Sequence, residues 1–200
     1  MSPSIEKKIA ETIGKEPGRI FYDKELFFLG SPGGVRLALK RLCDAGKVRR
    51  LIPGLYYNPR FSEFLNSELS PSPMEIAAAL SSKFGWDIMP TGNTALNLLG
   101  LSTQVAGTLV FLSSGPYRTY NIGKLKLEFR HSATRNFTVN DMDGKLVVQA
   151  LIALGRENVT NGIIKKIRDT LSDEKKRQIA ESSGNVATWI LETLKKITGK

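Results

Sequence analysis

One cysteine and one histidine are all that these 200 residues offer for a thiolate- or imidazole-ligated metal site. With Cys43 alone, neither an intrachain disulfide nor a cysteine-ligated zinc site can form within one chain. Beside the apolar stripe on which it falls, this thiol reads as a small buried side chain. His131 has no evident partner with which to build a catalytic triad or a histidine metal centre. No nucleophile–base pair is visible by spacing, and a Gly-Ser followed by paired aspartates is absent, so an enzyme or RNA-modifying factor is disfavoured and no cofactor is expected. No apolar run approaches the roughly 18 residues that a membrane helix needs. A signal-peptide pattern is also missing, and the expectation is a soluble, cytoplasmic protein without membrane association. Acid is scarce as well. Against 29 Lys and Arg stand 19 Asp and Glu, a formal charge of +10 and a pI near 9.8. Such a surplus favours a polyanionic partner, although it says nothing of fold.

What is present is basic and unevenly placed. Residues 1–60 carry 12 Lys and Arg against 6 Asp and Glu, and residues 36–60 alone carry 7 against the single acid Asp44. The whole surplus of the first third therefore sits on the stretch Ser31–Asn58 and its exit. Ser31 suits a helix cap and Pro32 the first helical position, where a missing N–H is harmless. Val35, Ala38, Leu39 and Leu42 then recur at helical spacing. Arg36, Leu37, Lys40 and Lys47 fall on a different face, with Arg41 beside them. Gly46 suits a left-handed stop. Val48–Ile52, the Pro53-Gly54 turn and Leu55–Tyr57 read as a hairpin, in which Tyr56 and Tyr57 are expected to pack.

Upstream, Ile5, Ile9 and Ile13 mark a helix capped by Ser2 or Ser4, Arg19–Phe21 a short strand, and Lys24–Leu29 a helix capped by Asp23. The order is helix, strand, helix, helix, strand, strand, that of a winged helix-turn-helix with a short turn at Leu29-Gly30-Ser31. Residues 61–73, with Phe61, Phe64 and Leu65, read as a connector between a domain at 1–60 and a second at 74–200. In that second part helices are expected at Met74–Phe84 and Asn93–Leu99, and strands at Ile88–Pro90, Thr108–Ser113, Arg118–Ile122 and Lys124–His131. Four helices follow: Gly144–Leu154, Thr160–Leu171, Asp173–Ser182 and Asn185–Ile197. The fold class is α+β, with a small antiparallel sheet and a helical tail.

Ala38–Leu42 with Gly46, Val48–Leu51, Gly54–Tyr57, the run TGNTALNLLGLSTQV at Thr91–Val105, Ile122-Gly123, Leu127–Arg130 and Gln149–Leu151 resemble the AbiEi-type antitoxins and their DUF6088 relatives. The likeness spans about residues 19–155, and the Thr91–Val105 run is its most specific part. It implies a first domain that represses its own operon and a second that counters a nucleotidyltransferase-type toxin.

Read from the residues, Arg36 and Lys40, one helical turn apart, are the candidates to enter the major groove of double-stranded DNA, with Arg41 and Lys47 beside them. Arg49, Arg50 and Arg60 are candidates for phosphates or the minor groove, contacts that position without reading sequence. The expected sites are inverted repeats in the protein's own promoter. Lys124, Lys126 and Arg130, on the polar face of one strand, are candidates for partner binding. Thr91–Gly100 reads as structure, since its glycines follow no phosphate-loop pattern. The basic runs at 165–168 and 175–177 read as solvated helix faces. The competing function is a stand-alone regulator with an effector-sensing or oligomerising second domain.

Overall fold

The computed structural model describes residues 4–104, 106–133, 141–182 and 186–199. Three sequence expectations lie outside that set: Ser2 as a cap, Val105 in the resemblance and Asn185 as a helix start. The chain forms two compact units, Met1–Lys83 and Phe84–Lys200, and its class is mixed α+β.

The first unit begins with α1 (Ile5–Gly14), where the Ser4 hydroxyl accepts the Lys7 amide at 3.2 Å. β1 (Ile20–Tyr22) runs into a 3₁₀ helix, Asp23–Leu29, and then into α2 (Pro32–Asp44). Ser31 caps α2 by accepting the Gly34 amide, and Gly46 at φ 71° ends the turn beyond it. β2 (Arg49–Ile52) and β3 (Leu55–Tyr57) follow. The sheet order is β1-β3-β2, all antiparallel, with an irregularity between Arg50 and Ile52 that sharpens the local twist. Because β3 is central and short, all three of its residues are buried, Tyr56 and Tyr57 included. Ile9, Phe21, Leu26, Val35, Leu39, Leu42 and Val48 join Tyr56 in one core. Each such large side chain stabilises the fold by about 1.5–3 kcal/mol through leaving water.

Two expectations change here. Asp23 does not cap a helix starting at Lys24; it is the first residue of the 3₁₀ turn and is buried. The stretch 61–73 is not a plain connector. Arg60–Ser62 (β4) and Ser67–Leu69 (β5) pair as an antiparallel hairpin whose turn includes Asn66 at φ 47°. Asn tolerates the left-handed region better than most residues, which is the local signal for this turn. The first unit also keeps α3 (Pro73–Phe84) as far as Lys83, so the boundary falls some way beyond the expected start at 74. Lys83 reaches the Pro53 and Gly54 carbonyls from this helix.

The second unit holds β6 (Ile88–Pro90), α4 (Gly92–Leu98), β7 (Leu109–Ser113), β8 (Arg118–Ile122) and β9 (Leu125–His131). The sheet order is β6-β7-β9-β8. It is mixed rather than purely antiparallel, because β7 and β9 run parallel while the other two ladders are antiparallel. The β8–β9 hairpin turns at Gly123, whose φ is 58°, whereas β7 pairs directly with β9 although β8 lies between them in sequence. Pro90, which cannot donate to a ladder, sits on the edge strand. Phe111 and Phe129 stack at 5.7 Å between centroids, and Trp86 lies 5.9 Å from Phe129. Helices α5 (Met142–Leu154), α6 (Asn161–Thr170), α7 (Asp173–Ser182) and α8 (Thr188–Thr198) complete the unit, with α5 against α4 and both α6 and α7 against α8. Their Leu151, Ile167, Ile179 and Ile197 are buried, so the tail belongs to this core.

Candidate nucleic-acid interface

Helix α2 buries Val35, Ala38, Leu39 and Leu42 and turns Arg36, Leu37, Lys40 and Arg41 to solvent. The 3.6-residue period explains this division, since the two sets lie on opposite sides of one helix. Lys47 and Arg50 continue the exposed basic surface into the hairpin, and Arg60 is exposed beyond it. Among the described residues, Lys40, Arg41, Lys47, Arg50 and Arg60 enter no ion pair. Five cations therefore remain available to an external anion.

The other two candidates of this unit are already engaged. Arg36 Nε donates to Asp23 Oδ2 at 2.9 Å, and its guanidinium lies 5.3 Å from the Phe27 ring centroid. The Arg36 side chain is 56% exposed while that of Asp23 is 10% exposed, so the arginine pairs with a carboxylate largely withdrawn from water. This contact ties α2 to the 3₁₀ turn before it. Arg49 donates to the Gly46 carbonyl at 2.6 Å and pairs with Glu68 at 2.8 Å, which clasps the β2–β3 hairpin to the β4–β5 hairpin. Arg36 and Arg49 thus fix the geometry in which the free cations are presented.

The other halves of these contacts come from Asp23, expected only as a helix cap, and from Glu68, for which no role was expected. Asp23 and Glu68 stand 13 and 19 positions from their partners, too far apart for any local spacing rule to pair them. Lys83 is held at the β2–β3 turn; burial pushes its pKa down, opposed by the charge of Asp23. Burial also raises the Cys43 thiol, with Asp44 adding to the effect, and raises the Tyr56 phenol. A partly buried thiol whose pKa is raised fits a packing role for Cys43.

In the second unit Lys126, Glu128 and Arg130 share the outer face of β9, with Lys124 just before it. Arg130 pairs with Glu128 at 2.7 Å, which leaves Lys124 and Lys126 outside any ion pair among the described residues. Arg130 also borders a cleft of about 570 Å³ beside Thr91–Asn97. The Thr91 run around that cleft is chiefly architectural. Thr94 is buried, accepts the Val110 amide at 2.8 Å and takes the Thr91 hydroxyl at 3.1 Å. Asn97 bridges the Asn93 carbonyl and the Ala106 amide. A Cβ on Gly92 would stand 2.6 Å from that of Ala153, so glycine lets α4 lie close on α5. Among the described residues no group of three or more His, Cys, Asp or Glu is placed to hold a metal ion, and no helix is long and apolar enough to cross a membrane.

Fold and site together define a two-unit α+β protein with a basic helix-and-hairpin surface on its first unit. The chain belongs to DUF6088, a family of unknown function, which matches it over residues 5–179. No curated protein matches the sequence. A crystal structure of the RV2827C protein from Mycobacterium tuberculosis is similar at 10% identity and a TM-score of 0.49, covering 100% of this chain and 78% of that one. That likeness is too distant to support any inference.

Proposed function

We propose that the first unit is a winged helix-turn-helix that binds double-stranded DNA, and that the chain is an autorepressor and antitoxin of the AbiEi type. One observation carries the DNA half: α2 and the following hairpin expose Lys40, Arg41, Lys47 and Arg50, which enter no ion pair among the described residues. Lys40 and Arg41 then face the major groove, Arg50 and Arg60 approach phosphates, and Arg36 holds the helix in place. The protein acts by binding and not by turnover, in the cytoplasm where its operator lies. Its operator is a set of inverted repeats in its own promoter.

The antitoxin half rests on the resemblance carried by Thr91–Gln104 and the neighbouring strands, and assigns to the second unit the countering of a nucleotidyltransferase-type toxin, with Lys124, Lys126 and Arg130 as its contact residues. A second reading, a stand-alone regulator whose second unit senses an effector, has the 570 Å³ cleft beside Thr91–Asn97 in its favour.

Titrating promoter DNA with the protein across a salt series tests the DNA half. Binding should weaken steadily with salt, and Arg50→Ala should shallow the log–log slope by about 0.9. Equal affinity for promoter and random DNA, or no binding at low salt, refutes it. Co-expression with the adjacent gene separates the two readings of the second unit: rescue of growth by this protein supports the antitoxin.

A further inference from the structure

Leu37 is the one large apolar side chain on the outer face of α2. It is 51% exposed, on a surface otherwise made by Gly33, Arg36, Lys40 and Arg41. Lys40 and Arg41 follow it by three and four residues, the spacings at which helical side chains are neighbours. Neither enters an ion pair among the described residues. The core does not require this leucine. Val35, Ala38, Leu39 and Leu42 face inward, and the half-buried margin of that core includes Phe27, Leu29 and Cys43 but not Leu37. One turn earlier, a β-carbon on Gly33 would meet nothing within 4 Å, so the face stays open along the helix. The only acid of α2, Asp44, is its last residue.

A lone exposed leucine is ordinary; what sets Leu37 apart is its place at the centre of a cationic helix face. The partner of such a face is a polyanion, and here that polyanion must also offer an apolar group. The major groove of DNA does so. It admits one α-helix, and of the four bases thymine alone presents a methyl group there. Arg36, the other central side chain, is held by Asp23 at 2.9 Å and lies against Phe27. We propose that Leu37 is a specificity determinant that packs on the C5-methyl of a thymine in the bound site, so that α2 selects thymine at that position by apolar contact. Lys40 and Arg41 flank the contact. The inference rests on the DNA reading of the first unit and adds the base that the helix selects.

Promoter DNA made with deoxyuridine in place of thymidine loses those methyl groups and keeps every phosphate and every hydrogen-bonding edge. The wild type should bind it roughly fourfold more weakly for each methyl that Leu37 covers, the weight of one buried carbon group. Leu37→Ala should bind thymine DNA more weakly and should lose that preference. Alanine is the best helix former and the position is exposed, so this variant keeps its fold. Leu37→Met, apolar and of similar volume, should keep the preference. Equal binding of both DNAs by the wild type, or an undiminished preference in Leu37→Ala, overturns the proposal and leaves DNA binding itself standing. Absence of promoter binding by the wild type removes the DNA reading and this inference together.

Discussion

The most conspicuous basic runs of the two units differ in how far they are engaged within the chain. In the first, Lys40, Arg41, Lys47 and Arg50 lie on one helix and the hairpin after it and remain unpaired among the described residues. In the second, basic side chains of equally conspicuous runs are bound internally. Lys166 donates to the Gly100 carbonyl and Arg168 to the Lys196 carbonyl. Lys175 pairs with Asp143 at 2.9 Å and Lys176 with Asp173 at 3.1 Å. A cluster of lysines in a sequence is thus a weak sign of an interface until its partners are known. The units also carry separate natural probes, since the only cysteine, Cys43, lies in the first and both tryptophans, Trp86 and Trp189, lie in the second.

The largest expected effect is the one that would break this contrast. Replacing Lys40, Arg41 and Arg50 together by Ala should shallow the salt slope of DNA binding by about 2.7 if each meets a phosphate. The matched change of Lys166, Lys175 and Lys176 to Ala, whose ammonium groups are bound internally, should leave that slope unaltered. A mobility-shift salt series on both triples measures it, and equal losses would remove the distinction between the units.

Gly92→Ala should rank next. Its new methyl meets Ala153 at 2.6 Å, and overpacking of this kind costs about 1–3 kcal/mol. Urea unfolding followed by tryptophan fluorescence should show the loss in the second unit, with promoter binding retained.

Arg36→Ala should destabilise the first unit by about 1–2 kcal/mol. It removes the ion-pair partner of the buried Asp23 carboxylate and leaves Lys83 as its charged neighbour, while the half-exposed arginine itself contributes modestly. Urea-dependent alkylation of Cys43 reports that opening. Restoration of stability by the double change with Asp23→Asn, while DNA affinity recovers, would identify Arg36 as a support and not a base reader.

The smallest effect concerns pH. Cys43 and Tyr56 both have pKa values raised by burial above their ordinary 9.0 and 10.0. Each ionises later in the folded protein than in the unfolded chain, so their contribution is fully present below the ordinary values and is lost as pH rises through the raised ones. Folded Cys43 should accordingly alkylate more slowly at pH 8 than in urea. The first unit should weaken on moving into strongly alkaline solution, and a flat alkaline profile with fast native alkylation would contradict the buried geometry.

Much of the first unit was legible because its signals are local. Ser31, Pro32 and Gly46 mark the ends of α2 by capping chemistry, and the apolar stripe Val35, Ala38, Leu39, Leu42 determined its buried face. The exposure of Lys40 and Arg41 follows from that same period. The alternation in β9 likewise assigned Leu127 and Phe129 to the core. Tertiary structure alone decided which cations stay available. Asp23 and Glu68 claim Arg36 and Arg49 over separations of 13 and 19 residues, and β7 joins β9 in parallel across an intervening strand. A helix period or a cap is settled by neighbours a few residues apart, whereas an ion pair or a strand partner depends on which distant groups the folded core brings within reach.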